Sequence, residues 1–239
     1  MMIVKIGGSA ITDKSAFRKP KLEVIDGIAR DIAEVKRRLI LVHGAGSFGH
    51  PLVVKYKLKE VEDLKGIAEA HLSCKDLNML VCRAMVKWGL KPYPIHPFSN
   101  FRVEGGKIIF DKTLILNSMK KDFIPVIHGD IVFNSDLNRF VILSGDDITI
   151  ELAKVFRVEK VGFATDVDGV YVDGKLADVV TSKDLEKIGS SVGIDVTGGM
   201  RSKVEKILRS GVKARIFNVS RLKDFLMCKN VGTLISEIL

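Results

Sequence analysis

Cysteine is scarce in this sequence, aromatic residues are few, and no apolar run is long. The three cysteines among 239 residues, Cys74, Cys82 and Cys228, have no metal-ligand spacing, and such an odd, sparse set favours reduced thiols. No window holds the roughly 18 uninterrupted apolar residues that a membrane span needs. The opening residues form a strand pattern and not a signal peptide. We therefore expect a cytoplasmic protein with no membrane partner.

The chain has a net charge of +9, and only 7% of its residues are aromatic. A basic protein can bind nucleic acid, but few aromatic side chains are present to stack on bases. The basic residues are scattered, and they cluster only at residues 36–38. We therefore expect no nucleic-acid partner. A site for several phosphates explains part of the excess charge, and solvated surface explains the rest.

What the sequence does contain is a regular alternation of strand and helix patterns. Apolar strand patterns at residues 2–6 and 39–42 flank a helical pattern over residues 21–38, which indicates a βαβ unit with parallel strands. Further helices are predicted at residues 48–56, 61–88 with a break at Gly66, 112–121, 148–156, 183–188 behind a Thr181 cap, and 200–210. Further strands are predicted at residues 92–95, 123–127, 160–164, 170–172 and 214–218, with hairpins over 101–110 and 131–143. The pattern predicts a three-layer α/β/α sandwich with a largely parallel central sheet and inserted β-hairpins.

Glycine-containing loops follow most of these strands. In a parallel α/β sheet, ligands sit outside the carboxyl ends of the strands, so the loops predict one active-site edge. The longest, residues 43–50 with the sequence HGAGSFGH, follows a buried strand, and its glycines let successive N–H groups converge on an anion. A tight turn with a surface histidine is the alternative interpretation. The loop glycines are Gly7, Gly44, Gly129, Gly145 and, with no predicted strand before it, Gly198.

Lysines accompany the glycine loops. Lys5 lies inside a strand, where a role in solubility is unexpected, and Lys14 lies beyond the first loop. Lys203 follows the last glycines. Phosphoryl transfer needs positive charge over oxygens that become more negative in the transition state, which these lysines could supply. Taken singly, each lysine is better explained as a solvated side chain, since lysine is abundant here. Neither a Walker A motif nor GxGxxG occurs.

Carboxylates lie in the same loops. Asp130 and Asp147 are candidates to orient Lys5 or Lys14, or to hold Mg²⁺ that arrives with a nucleotide. The alternative for Asp146 or Asp147 is the N-cap of the helix that follows. The turn at residues 165–169, sequence TDVDG, either faces a nucleotide or only stabilises itself.

Together, these motifs resemble the amino acid kinase superfamily, and the 43–50 loop with Lys14 resembles its isopentenyl phosphate kinase family. The match spans residues 5 to about 211. The resemblance implies phosphorylation of isopentenyl phosphate to isopentenyl diphosphate with ATP and Mg²⁺, in the alternative mevalonate route to isoprenoids. It also implies a homodimer of one kinase-like domain over residues 1–239. An acceptor-binding lobe would cover about residues 1–157, and a nucleotide-binding lobe about residues 158–239.

The resemblance also implies site residues. Lys14 would stabilise the transition state, with Lys5, His50 and Asp147 as further catalytic residues and Asp147 organising the lysines. His50 would bind the acceptor phosphate. Ala45 and Gly145 would join it in the acceptor site, and the resemblance assigns no residue as a metal ligand. The nucleotide would contact Lys5, Ile6, Gly7, Gly8, Ser9, Gly46, Asp166, Tyr171, Gly199 and Lys203.

The histidines bear on which kind of acceptor the site would bind. A phosphomonoester needs only anion donors, and the unperturbed pKa of histidine near 6.5 puts protonation of His50 within reach of neutral pH. His71, His96 and His128 fit structural roles better. The long helix over residues 61–88 would wall the apolar part of the acceptor with Ala70, His71 and Cys74. The alternatives are a fosfomycin-type phosphonate kinase, another small-molecule kinase of the superfamily, and a non-catalytic nucleotide sensor.

Overall fold

The computed structural model describes residues 1–189 and 199–237 of the chain. The strands in these residues are Met2–Ile6 (β1), Leu39–His43 (β2), Pro92–Ile95 (β3), Phe101–Glu104 (β4), Lys107–Phe110 (β5), Ile124–His128 (β6), Asp130–Asn134 (β7), Arg139–Leu143 (β8), Lys160–Thr165 (β9), Tyr171–Val172 (β10), Lys175–Leu176 (β11), Val179–Val180 (β12), Ala214–Asn218 (β13) and Thr233–Ile235 (β14). The α-helices are Gly8–Ile11 (α1), Leu22–Val35 (α2), Gly46–Lys55 (α3), Leu64–Lys87 (α4), Pro97–Asn100 (α5), Lys112–Lys120 (α6), Gly145–Val155 (α7), Gly199–Ser210 (α8) and Leu222–Leu226 (α9). Two 3₁₀ segments are Ser182–Lys187 and Val219–Arg221.

The central sheet has the strand order β12-β14-β13-β9-β1-β2-β6-β3 within the described ranges. Its neighbouring strands are parallel except for the pair β13 and β14. β1 lies in the interior of the sheet between β2 and β9, and all five of its residues are buried. The predicted three-layer fold with a largely parallel sheet is confirmed.

The two faces of the sheet are covered by different helices. Successive side chains of a strand point to opposite faces, and β1 follows this rule: Val4 joins a core with α2, α4 and α9, while Ile3 joins a core with α6, α7 and α8. Lys5 therefore shares the face of Ile3. The sequence thus directs a lysine of the central strand toward α7 and α8.

A second sheet, with the order β5-β4-β7-β8, contains both predicted hairpins. β7 begins at Asp130, two residues after β6 ends, so the second sheet starts at the carboxyl edge of the first. Ile131 of β7 packs against Leu52 of α3 and against Ile67 and Ala70 of α4. Among the described helices, none combines the length and apolar character that crossing a bilayer requires.

Several predicted helix boundaries need correction, and α3 begins at Gly46 instead of at residue 48. α2 ends at Val35, because Lys36 adopts a left-handed conformation with φ 50°. α4 begins at Leu64, and the predicted break at Gly66 is wrong: the Asp63 side chain caps the helix by accepting from the Gly66 N–H. A Cβ at Gly66 would lie 2.4 Å from the Tyr56 ring, so glycine permits close packing there.

The helix predicted over residues 148–156 also begins earlier, at Gly145. Its N-cap is Ser144, whose Oγ accepts from the Asp147 N–H at 3.1 Å. The expectation that Asp146 or Asp147 is the cap is therefore wrong, because both residues lie in the first turn. The predicted helix behind Thr181 is a 3₁₀ segment, and the predicted Thr181 cap is confirmed. Elements that the sequence patterns did not predict are α1, α5, α9, β11, β12 and β14.

Candidate active site

Three glycine turns lie side by side at the carboxyl edge of the central sheet. The Gly7 N–H donates to the carbonyl of Ala164 in β9 at 2.7 Å, and the Gly44 N–H donates to the last carbonyl of β1 at 2.9 Å. The Gly129 N–H donates to the last carbonyl of β2, also at 2.9 Å. Each turn thus extends the strand ladder by one hydrogen bond, which fixes the loops relative to one another.

The loops after β1 and β2 meet backbone to backbone. A Cβ at Gly8 would lie 2.4 Å from the Gly46 nitrogen, so only glycine allows this approach. Thr12 joins the two loops, since its Oγ1 donates to the Gly8 carbonyl at 2.7 Å and accepts from the Ser47 N–H at 2.9 Å. Gly46, with φ +51°, begins α3. The amino terminus of a helix favours anions, so this junction suits a phosphate group.

A cleft of about 510 Å³ opens above these loops. Most predicted site residues line it, whereas Ile6 is buried in the core and Asp147 lies outside the lining. Gly198 lies outside the described residues. The predicted residues that the cleft brings together are Lys5, Gly7, Gly8, Ser9, Lys14, Ala45, Gly46, His50, Gly145, Asp166, Tyr171, Gly199 and Lys203. Their individual roles stay predictions.

A buried ionic triad forms one wall of the cleft. Lys5 Nζ lies 2.8 Å from Asp146 Oδ1, and Lys203 Nζ lies 2.5 Å from Asp146 Oδ2. The three side chains are 9%, 13% and 18% exposed for Lys5, Lys203 and Asp146, so they are little screened by solvent. Two ammonium groups share one carboxylate, which leaves a net positive charge that a polyphosphate can neutralise.

The pKa values in the triad follow from this arrangement. Burial alone would raise the pKa of Asp146, but Lys5 and Lys203 outweigh it and hold that pKa well below its usual range. Burial lowers the pKa of Lys203 to about 8, and the positive charge of Lys5 contributes to the shift. Both pKa values are low because two ammonium groups share one carboxylate in a desolvated site. An anion bound here would stabilise the charged form of Lys203.

The structure corrects the predicted partners of two aspartates. Asp147 does not organise Lys5 or Lys14, because its carboxylate contacts Lys206 Nζ at 2.7 Å and 3.0 Å. Asp146 holds the lysines instead. Sequence reasoning missed it, although Ser144 with Asp147 three residues later resembles a capping pattern, which would have left Asp146 for the site.

Asp130, the other predicted partner of Lys5 or Lys14, lines the cleft but contacts neither lysine. Its Oδ2 lies 2.9 Å from His71 Nδ1, and its Oδ1 accepts from the Ile131 N–H at 2.9 Å. These contacts come from β7 and α4, whereas the lysine-bearing triad is built by β1, α7 and α8.

Lys14 occupies a different environment from the triad lysines. It is exposed on the loop between α1 and α2, at the edge of the cleft. The loop closes through an ion pair between Asp13 and Lys19 at 2.8 Å, and an ion pair between Arg18 and Asp76 ties it to α4. Lys14 itself forms no ion pair with any residue in the described ranges. Its ammonium group is therefore available to a ligand.

His50 lies on α3 beside the phosphate junction, exposed toward the cleft. Partial burial lowers the pKa of His50, and the charges of Lys5, Lys14 and Lys59 lower it further. In the ligand-free protein both effects favour the neutral ring over the protonated ring. A neutral imidazole still offers one N–H donor to an anion.

An apolar wall adjoins His50. Two of the three residues predicted for it, Ala70 and Cys74 of α4, line the cleft, whereas the third, His71, turns to Asp130. The sequence did not indicate the contribution of the second sheet. The apolar residues that line this part of the cleft are Val53, Ala70, Cys74, Ile131 and Ile142.

The opposite end of the cleft is formed by the last third of the described chain. Ser9 Oγ donates to Asp166 Oδ1 at 3.0 Å, which joins the first glycine loop to the turn after β9. Tyr171 and Met200 line the cleft beyond this contact. Asp168 does not line the cleft and accepts from Asn218 at 3.2 Å, so of the two aspartates in this turn only Asp166 faces the site.

Both the sequence and the fold of this chain are similar to those of known proteins. The model of the amino acid kinase family matches residues 1–218. The isopentenyl phosphate kinase of Methanocaldococcus jannaschii is 35% identical, with 94% of this chain and 93% of the relative covered, and that of Thermoplasma acidophilum is 33% identical, with 98% and 100% covered. A solved isopentenyl phosphate kinase structure superposes with a TM-score of 0.83 at 30% identity and covers 98% of both chains. A product complex of the Thermoplasma acidophilum enzyme gives a TM-score of 0.79 at 27% identity, covering 98% of this chain and 99% of that one.

Proposed function

The chain belongs to the amino acid kinase family, and we propose that it transfers the γ-phosphoryl group of ATP to isopentenyl phosphate, forming isopentenyl diphosphate. Isopentenyl phosphate kinases are similar to it over nearly their whole length. The observation in this chain that carries the proposal is the adjacency of a phosphate junction with His50 and a wall of aliphatic side chains. An acceptor for this pocket has an anionic head and a short apolar tail.

Different residues of the cleft would bind ATP, bind the acceptor and stabilise the transition state. ATP would lie along the glycine loops and the Lys5–Asp146–Lys203 triad, which neutralise its phosphates. The acceptor phosphate would bind at the amino terminus of α3 and accept a hydrogen bond from His50. Lys14, exposed between the two ligands, would meet the charge that develops on the transferring group.

Magnesium is proposed to accompany ATP and to neutralise charge on its phosphates. Of the aspartates that line the cleft, Asp146 is occupied by two ammonium groups and Asp130 by His71. Asp166 accepts from Ser9 through one oxygen, and its other oxygen has no partner among the described residues. Asp166 therefore fits a hydrated Mg²⁺ better than the other two.

The organisation of the chain is proposed on the same resemblance. Residues 1–157 would form the acceptor-binding lobe and residues 158–239 the nucleotide-binding lobe, since His50 lies in the first range while Asp166, Tyr171 and Lys203 lie in the second. The enzyme would act in the cytoplasm as a homodimer. Sedimentation analysis of the purified protein tests the oligomeric state.

The decisive experiment is turnover of ATP with purified protein and a set of acceptors. We expect isopentenyl diphosphate from isopentenyl phosphate, at a catalytic efficiency well above that for fosfomycin or inorganic phosphate. Preferred turnover of fosfomycin would favour a phosphonate kinase. ATP binding by calorimetry without turnover of any acceptor would favour a nucleotide sensor.

A further inference from the structure

Two buried histidines lie at the ends of β2 and β6, next to the glycine turns of the cleft. His43 and His128 are paired in the sheet register, and their rings stack with centroids 5.7 Å apart. Their exposed fractions are 1% and 0%, and neither lines the cleft. Each is followed by a glycine whose carbonyl oxygen contacts the ring Nδ1, at 3.0 Å for Gly44 and 3.1 Å for Gly129. The same His-Gly arrangement thus occurs twice, on neighbouring strands.

The hydrogen-bond partners determine the tautomer of both rings. A carbonyl oxygen only accepts, so Nδ1 must carry the proton in each ring, and Nε2 of the neutral ring must accept. Asn78 Nδ2 lies 3.1 Å from His43 Nε2, and His96 Nδ1 lies 3.0 Å from His128 Nε2. Each ring nitrogen therefore has a partner of the required kind.

Burial favours the neutral form of these rings. It lowers the pKa of His43 to about 4, and it lowers the pKa of His128 well below its usual value. Lys5 near His43, and His43 and His96 near His128, lower the pKa values further. Both rings are therefore neutral across the physiological pH range, which keeps one donor and one acceptor on each.

We infer that His43 and His128 are positioning residues for transfer to the acceptor phosphate. A free carbonyl oxygen beside a phosphate would repel it, and a glycine turn can rotate its peptide group with little steric cost. Here each glycine carbonyl contacts a ring that is buried outside the cleft, so the ring keeps that carbonyl turned away from an anion in the cleft. Asn78 and His96 in turn hold the two rings. The inference rests on the proposed function, because the acceptor phosphate is the anion that the turns would bind.

The tautomers can be measured without any substrate. In protein labelled with ¹⁵N at histidine, long-range ¹H–¹⁵N correlation spectra distinguish Nδ1–H, Nε2–H and imidazolium rings. Single His43→Asn and His128→Asn variants assign the two signals. We expect both rings to be neutral Nδ1–H tautomers at pH 7. An Nε2–H tautomer or an imidazolium at either position would overturn the inference for that residue.

Kinetic variants test the consequence for transfer. Asparagine places an amide N–H near the position of imidazole Nδ1, whereas leucine provides apolar volume without a donor. We expect His43→Leu and His128→Leu to lower kcat for isopentenyl phosphate by about 10- to 100-fold with little change in the KM of ATP, as for a small misplacement of reacting groups. The asparagine variants should recover most of the loss. Wild-type kcat in the leucine variants would contradict a positioning role.

A control separates positioning from folding. Ile32 lies on α2 in the core and lines no cavity with the histidines among the described residues, so Ile32→Ala should lower the melting temperature and leave kcat of the folded enzyme unchanged. If asparagine and leucine variants lose kcat equally and in proportion to melting temperature, the role is structural. If the wild-type protein turns over no acceptor, the proposed function fails, while the NMR result still decides the tautomers.

Discussion

Lys14 differs from the other two lysines of the cleft in its surroundings. Lys5 and Lys203 share Asp146, whereas Lys14 is exposed and unpaired within the described chain. A cation without a protein partner can follow charge that grows during transfer. We expect Lys14→Met to lower kcat by about 100-fold or more, while the KM values for ATP and acceptor move little. Steady-state kinetics with each substrate varied in turn check this. A tenfold rise in either KM with kcat retained, about 1.4 kcal/mol, would show a ground-state binding role instead.

His50 has a second prediction at the same scale. One hydrogen bond to a charged ligand contributes about 1.5–3 kcal/mol, so His50→Ala should lower kcat/KM for isopentenyl phosphate by about 10- to 100-fold or more. Because the lowered pKa favours the neutral ring, His50→Gln keeps a comparable neutral donor and should recover part of the loss. Calorimetric titration with the acceptor is the direct measurement. Wild-type acceptor affinity in His50→Ala would mean that the acceptor phosphate lies elsewhere.

The site residues show what sequence reasoning reaches at this scale. Nearly all residues that the motifs and the resemblance singled out line the cleft, because loops at the carboxyl ends of parallel strands share one edge of the sheet. The motifs did not distinguish Asp146 from Asp147. Which of the two faces the cleft depends on where α7 begins. The helix begins at Gly145, three residues before the predicted start, and with this start Asp146 lines the cleft while Asp147 does not. The stacked pair of His43 and His128 was also missed, because the partners of these rings come from α4 and from the residue after β3.

At the scale of elements, two ion pairs one turn apart join α8 to α7. Lys203 contacts Asp146 inside the cleft, and Lys206 contacts Asp147 where both side chains are partly exposed. An exposed pair contributes about 0–1 kcal/mol, so Lys206→Met should leave catalysis close to wild type. Lys203→Met should lower kcat/KM for ATP by at least about tenfold, since a buried cation toward the nucleotide is lost. Equal kinetic effects of the two variants would contradict this assignment.

The first half of α4 supports a prediction on the acceptor tail. Cys74 belongs to the apolar wall and is buried against α3, where a Cβ at Gly49 would lie 2.9 Å from its Sγ. Each buried methylene of an acceptor contributes about 0.8 kcal/mol, so a shortened pocket should discriminate steeply against longer tails. We expect Cys74→Phe to lose activity on isopentenyl phosphate while its melting temperature stays near wild type, and Cys74→Ala to accept longer tails. Equal loss with methyl phosphate as acceptor would indicate a folding defect.

At the scale of the whole molecule, periodicity predicted the class of fold and most of its elements. β1, β3 and β13 have the predicted bounds. The short elements were missed for a physical reason. β14 has three residues and α1 and α5 have four, so each contains too few repeats of its pattern to be recognised, and tertiary contacts decide their conformation. The strand order could not be predicted from the sequence patterns, since it depends on which strands pair with one another in the sheet.

Stability should depend on pH in a window set by the buried histidines. His43 is buried and neutral with a pKa of about 4, against 6.5 for an unperturbed histidine. Between these values the unfolded chain binds a proton at this residue and the folded chain does not, so the free energy of unfolding decreases as pH falls from 6.5 to 4. The contribution of His43 is on the order of 3 kcal/mol, fully present above pH 6.5 and lost once pH has fallen through about 4. His128 and His96, whose pKa values are also lowered by burial, act in the same direction.

Urea unfolding at a series of pH values between 4.5 and 7.5 measures this effect, because the slope of the unfolding free energy reports the difference in bound protons, about 1.4 kcal/mol per pH unit for each proton. Most carboxylates titrate below this window, so the histidines dominate the slope. His43→Asn provides the control: it keeps a donor for Gly44 and removes one titrating group, and its slope should be shallower by up to one proton. A free energy that stays flat from pH 7.5 to 5, or an identical slope in His43→Asn, would show that His43 is not held neutral in the folded protein.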